Sequence, residues 1–251
     1  ISDFAFADCK NLKSVDLSRN LLAIGSYAFW NCTALESILL PDKIEYLGTG
    51  CFSECVKLSN ILIPSSVLEL DDFCFMECLS LKTVEFENGI QYIQCQAFSE
   101  TAIEKIILPS SLVEIENGCF MRCENLSEVI FPVHMDNSLI IGASNFMDCK
   151  ALKKIELPDN VVLIGSEAFY GCHNLNSIVI PESVETIGDF AFANCNTLSD
   201  IYFESADCDI GIPGFRAITF NPVKIHAPKG GNVEKYGKET LGVEFYEHNQ
   251  S

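Results

Sequence analysis

No apolar run in this 251-residue chain approaches the roughly 20 residues a helix needs to cross a bilayer. Membrane insertion by this segment is therefore not expected. Basic residues are scarce: 16 Lys and Arg stand against 35 Asp and Glu, a formal net charge of -19. Phosphate backbones require clustered Lys and Arg, so nucleic acid is not an expected partner, and an anionic membrane surface is disfavoured for the same reason. Catalytic and metal signatures are missing too. There is no G-x-S-x-G, H-E-x-x-H, C-x-x-C or EF-hand loop. Gly231 to Lys238 is superficially P-loop-like, but five residues separate its glycines and Glu239 stands where Ser or Thr belongs. The four histidines (His134, His173, His226 and His248) are scattered, and His173 reads as a solvated turn residue. The short acidic runs at Asp71-Asp72 and Asp207-Cys208-Asp209 read as solvated acids. No cofactor, metal or enzymatic activity is expected.

What the chain does have is a period. Phe6, Phe29, Phe52, Phe75, Phe98, Phe120, Phe146, Phe169 and Phe192 form one column, mostly 23 residues apart. One unit is a residue short, at Ser99-Glu100-Thr101-Ala102, and one is three longer, around Val133 to Ser138. Cys follows Phe by three residues in eight units, from Cys9 and Cys32 to Cys172 and Cys195. Leu or Ile, a β-branched residue, a further apolar residue and usually Pro come next. A unit reads I-G-x-x-A-F-x-x-C-x-x-L-x-x-I-x-L-P-x-S-V-x-x.

The physics of one unit is legible. L-x-x-I-x-L ends in period-2 alternation and carries β-branched residues, so it reads as a short strand. Proline closes it, and turn residues follow, as at Ser65-Ser66, Ser110-Ser111 and Asp159-Asn160. A second extended piece is expected at Val67, Leu112, Val161 and Val184, and a single helical or 3₁₀ turn at A-F-x-x-C. No unit buries its apolar face alone, and stacking like on like makes a continuous core. The expected architecture is a repeat solenoid: a right-handed, β-rich superhelix of about nine units over residues 1–204, with a parallel strand sheet and short helical turns. A non-repeat C-terminal cap spans 205–251, where Phe215, Phe220, Val223, Ile225, Tyr236 and Phe245 are expected to fold over the last unit.

The period and the A-F-x-x-C-x-x-L-x-x-I-x-L-P signature resemble the BspA-like bacterial surface proteins of the leucine-rich-repeat superfamily. Ile24-Gly25 through Leu40-Pro41 shows it, Ile164-Gly165 through Ile180-Pro181 repeats it, and the match runs from residue 1 to about 204. The tail, with Ile225-His226-Ala227-Pro228-Lys229-Gly230 and Tyr236, resembles that family's terminal segment. The resemblance implies a leucine-rich-repeat fold and a cell-surface or secreted location, often as an adhesin or host-interacting factor. It implies no catalytic residues.

Thirteen cysteines in so regular a frame are expected to form a reduced packing ladder. In-register neighbours place their Cβ atoms about 4.8 Å apart, beyond the separation a disulfide prefers. Cys51, Cys74, Cys119 and, slightly displaced, Cys95 sit near the small column before Phe. Cys208 lies outside the columns and is expected to be the most reactive.

Function is sought on the outward column between the buried strand residues: Asp16, Leu39, Leu62, Glu85, Ile107, Ile130, Glu156, Val179 and Tyr202. Six of these nine are apolar, and the adjacent column is polar. Scattered surface aliphatics are ordinary, but an apolar stripe with a polar rim suggests a contact site. The candidate partner-binding residues are Leu39, Leu62, Glu85, Ile107, Ile130, Val179 and Tyr202. His134, in the insertion, is a second locus, because insertions map to surface loops. The expected function is adhesion or recognition of a protein or glycan, with host extracellular matrix one such source. The alternative is a ligand-free scaffold or spacer in a longer surface protein. The chain begins at Ile1 inside a repeat, so it is expected to belong to a longer parent, and its first unit offers an edge for self-association.

Overall fold

The computed structural model describes residues 1–132, 138–211, 223–240 and 243–248. The chain winds as a parallel-strand β-solenoid of about nine turns with very little helix. In chain order the elements are β1 (Ala23–Ile24), β2 (Tyr46–Leu47), β3 (Asn60–Ile63), β4 (Glu69–Leu70), β5 (Thr83–Phe86), β6 (Tyr92–Ile93), β7 (Lys105–Ile107), β8 (Glu114–Ile115) and β9 (Glu128–Ile130). They continue with β10 (Leu139–Ile141), β11 (Val161–Ile164), β12 (Ser177–Ile180), β13 (Thr186–Ile187), β14 (Asp200–Phe203), β15 (Asp209–Ile210), β16 (Val223–Ala227), α1 (Asn232–Glu239) and β17 (Val243–Glu247).

Each turn has three sides. The L-x-x-I-x-L segments form the first. There β3 pairs with β5, β7 with β9, and β12, β14, β16 and β17 make a four-stranded sheet. Like residues face like: Ile61 lies opposite Val84, Ile106 opposite Val129, and Ile178 opposite Ile201. The sheet is not continuous. Residues 37–40 and 153–157 form no strand, although Ile38 and Ile155 are buried as a strand would bury them.

The second side carries the expected second extended pieces, a residue or two later than expected. Val67, Leu112 and Val184 are buried in the preceding turn, where each donates its N–H to the proline C=O three residues back. The strands follow as β4, β8 and β13, while Val161 itself opens β11. Seven strands from β4 to β15 join in one sheet, and β1 and β2 form a separate pair.

The third side corrects the expectation of helical turns. A-F-x-x-C is a chain of linked turns, and α1 is the one helix among the described residues. Helix requires consecutive right-handed residues. Here the residues two before and two after each Phe have positive φ, from Phe4 (56°) and Asp8 (61°) to Phe190 (56°) and Asn194 (59°). A non-glycine residue in that region costs on the order of 1 kcal/mol, and no β-branched residue occupies one of these positions. The conformation is held by how it directs N–H groups. Alternate N–H groups close turns within a unit, as Cys9 N–H does to Phe6 C=O. The others point to the next unit, as from Phe29 to Cys51 C=O at 2.8 Å, with three such bonds at every junction.

The core lies inside the three sides. The Phe column is a stack of near-parallel rings, with centroids 5.1 to 5.7 Å apart from Phe6 to Phe192. Offset stacking of this kind adds about 0.5–1.5 kcal/mol per pair beyond burial. In the first unit Ile1, Phe6, Leu12, Val15 and Leu17 are only partly buried. At the other end β16 and β17 prolong the strand side, so the tail extends a sheet as well as covering a core. Val223, Ile225 and Val233 are buried, and Tyr236 and Phe245 pack partly buried against the core. Phe215 and Phe220 lie outside the described residues.

Candidate functional site

The strand register sets the outward column. Residues two apart share a face of a strand, so burying Ile61 and Ile63 turns Leu62 to solvent. Leu39 is 77 % exposed, Leu62 40 %, Ile107 59 % and Val179 47 %. Glu85 is exposed, and Ile130 and Tyr202 are half-buried. Pairing brings Leu62 beside Glu85, Ile107 beside Ile130, and Val179 beside Tyr202. The breaks in the sheet divide the column into segments. A groove of about 670 Å³ opens between β5 and β7, lined by Lys82, Glu85, Phe86, Glu104, Lys105 and Ile107 among others. Its charges are locally balanced, since Lys82 meets Glu104 and Lys105 meets Glu128, both at 2.9 Å. Exposed pairs of this kind contribute little stability but keep the apolar strip flanked by polar groups of both signs. His134 lies outside the described residues.

The column continues beyond Tyr202. Registers across β14, β16 and β17 place His226 and Tyr246 next in line. Tyr202 stacks on His226 at 4.4 Å and His226 on Tyr246 at 5.3 Å. His226 Nε2 is 2.9 Å from Asp200 Oδ1. The Ser199 hydroxyl, and after it His226, hold the Asp200 carboxyl below the usual carboxylate range. The repeat columns end before these residues, so column counting misses them. The apolar alternation Val223, Ile225, Ala227 and then Val243, Phe245 was the available signal. His173 is not simply solvated: its Nδ1 lies 2.9 Å from Asn194 O.

The cysteines serve packing. Thiols in the Cys column donate to the Phe carbonyl of the preceding unit, as Cys55 Sγ to Phe29 O at 3.2 Å and Cys195 Sγ to Phe169 O at 3.0 Å. That carbonyl also accepts an N–H within its own unit, so both its lone pairs are engaged. Thr101 fills the same column in the short unit, and its hydroxyl bonds Phe98 O at 2.9 Å. Burial pushes these thiols up, Cys32 to about 11 and Cys195 to about 12. The expected reactivity of Cys208 is corrected. It is 1 % exposed, and burial pushes its thiol up to about 12. The solvent-exposed thiol is Cys9.

The second side has a different charge. Its nine passes, residues 22–26, 45–49, 68–72, 91–95, 113–117, 139–143, 161–166, 185–189 and 207–211, contain no Lys, Arg or His. Several of their carboxylates bond backbone and neutral side chains. Asp72 Oδ1 accepts the Cys95 N–H, and Asp209 Oδ1 accepts from Asn232. Burial, and then Glu116, raises the Glu114 carboxyl. Among the described residues no group of three or more His, Cys, Asp or Glu could hold a metal.

Stacked coils of one leucine-bearing pattern, with strands on two sides and linked turns on the third, define a leucine-rich-repeat solenoid. The chain belongs to the BspA type leucine rich repeat family, whose pattern matches residues 1–127 and 113–236 in six copies. Among solved structures it is similar to a leucine-rich repeat protein of Bacteroides ovatus, at 32% identity and a TM-score of 0.71. That match covers 94% of this chain and 66% of the other, so the chain spans just under two thirds of that relative's length. It is also similar to the leucine rich repeat protein of T. pallidum, at 26% identity and a TM-score of 0.53, covering 75% and 77% of the two chains. No curated protein matches it. Among the described residues no helix is long and apolar enough to cross a membrane.

Proposed function

We propose that this chain is a recognition module, working at a cell surface or secreted, that binds a protein or glycan through its strand side. The observation that carries this reading is the outward column. Leu39, Ile107 and Val179 expose large aliphatic side chains at 77 %, 59 % and 47 %, in a register that repeats along the solenoid. Water-exposed aliphatics in line, bordered by charge-balanced residues, match the anatomy of an interface core and rim. Family membership supports a binding role rather than a catalytic one.

The test is biolayer interferometry of the purified chain against host extracellular-matrix and serum proteins, beside a Leu39→Glu/Leu62→Glu/Ile107→Glu variant with unchanged circular dichroism. Saturable binding lost in the variant supports the reading. Binding that survives in the variant moves the site elsewhere. A second reading is a spacer that displays other parts of a longer protein, and the unbroken Phe stack favours it by making the coil stiff along its axis. Absence of any saturable ligand for either protein is the outcome expected of a spacer.

A further inference from the structure

The second side holds a site independent of the strand-side reading. Its ladder breaks between β2 and β4, where the two-stranded and seven-stranded sheets part. A groove of about 510 Å³ opens there. Its floor is apolar: Tyr46 is 47 % exposed and Leu68 51 %. Its rim is anionic, with Glu45, Glu69 and Asp71 among the lining residues. The Tyr46 hydroxyl donates to Asp71 Oδ2 at 3.2 Å, which fixes the ring. Among the described residues none of these carboxylates is ion-paired with a basic side chain. This contrasts with the Lys82–Glu104 and Lys105–Glu128 pairs of the strand side.

We propose that this groove docks a Lys- or Arg-rich segment of a partner polypeptide. The complementarity is chemical on three counts. A Lys or Arg stem is apolar for most of its length and lies on Leu68 and Tyr46. Its cation gains from the face of a tyrosine ring as well as from nearby carboxylates. Beyond the groove no following pass of the sheet carries a base, and those at 113–117, 185–189 and 207–211 carry acids, so its field draws in further cations of the same segment. An anionic glycan or a nucleic acid is repelled by the same field.

The experiment is fluorescence anisotropy of a labelled peptide of alternating Arg and Ala, titrated with the full chain at low and physiological salt. Tyr46→Ser/Leu68→Ser removes the floor and keeps every charge. Glu69→Gln/Asp71→Asn keeps the floor and removes charge. Leu39→Ser/Leu62→Ser alters only the strand side. The floor variant is expected to weaken binding about tenfold, and the charge variant to weaken it and flatten its salt dependence. The strand-side variant is expected to bind as the parent does. Thermal melts confirm that each variant folds. Equal affinity of the floor variant and the parent overturns the proposal, since attraction is then diffuse charge alone. Loss confined to the strand-side variant also overturns it, while leaving the strand-side reading standing.

Discussion

Replacing Phe98 with alanine asks whether the ring stack is the spine of the coil. Phe98 is fully buried, stacked on Phe75 at 5.4 Å and on Phe120 at 5.7 Å, and edge-on to Phe86 at 6.2 Å. A phenylalanine buries roughly 150–250 Å², which at about 25 cal/mol per Å² amounts to about 4–6 kcal/mol. Alanine keeps a small part of that. The neighbouring rings are fixed by their own stacks and cannot fill the gap. The expected loss is about 4 kcal/mol, inside the range for such truncations. The same change at Phe6 removes a half-buried ring with a single stacking neighbour, Phe29 at 5.1 Å, and is expected to cost about 2 kcal/mol. Each unit touches mainly its neighbours, so the damage at Phe98 should also stay local. Urea unfolding followed by circular dichroism gives the two losses. Hydrogen exchange gives their reach: amides of the turns around Phe75, Phe98 and Phe120 should lose protection, while those near Phe169 keep theirs. Equal losses for the two variants, or a uniform fall in protection along the chain, would refute the reasoning.

Other perturbations test the remaining supports. Cys149→Ala removes the thiol that meets Phe120 O at 3.2 Å and is expected to cost about 1–2 kcal/mol in urea denaturation. Cys149→Ser should cost less, because Thr101 already places a hydroxyl in that column. Under native conditions a maleimide is expected to modify exposed Cys9 first and Cys208 far more slowly, read by peptide mass spectrometry. Glu77→Val, at a residue with φ of 58°, is expected to destabilise by about 1–2 kcal/mol. Burial, then the like charges of Glu100 and Glu54, raise the Glu77 carboxyl. The ionised form is thus disfavoured in the folded chain. Glu77→Gln should therefore stabilise at neutral pH, and melts at falling pH should show that gain fading once the native carboxyl takes up its proton.

The period made the fold legible before any coordinates. A Phe every 23 residues admits few alternatives to stacking, and the Cys and Leu columns then fix which side chains share the interior. The turn side was the error. A-F-x-x-C has helix-compatible residues, and nothing in Tyr27 or Glu54 announces a positive φ. That conformation is imposed by the neighbouring coil, which needs every second N–H. The exposure of Leu39 and Ile107 followed from period-2 alternation. The breaks in the strand ladder did not, because pairing depends on how adjacent coils splay. His226 and Tyr246 escaped because their strands lie past the last repeat. The reactivity assigned to Cys208 failed for a similar reason: falling outside a column does not mean falling outside the core, and Cys208 is buried beside β15.

The linked turns give the coil an electrical direction. At every junction from the first unit to the ninth, three N–H groups of the turn side point forward along the axis and three C=O groups point back. Each peptide carries a dipole of about 3.5 D, and dipoles laid head to tail add rather than cancel. In the helix the same addition leaves partial charge at the two ends, whereas a β-sheet has little net moment. This solenoid combines the two: strand sides that are nearly neutral along the axis, and one side on which three columns of peptides sum, positive toward the higher-numbered units. Lengthening the coil by a unit extends the columns without changing their sense, so the polarity belongs to the repeat itself.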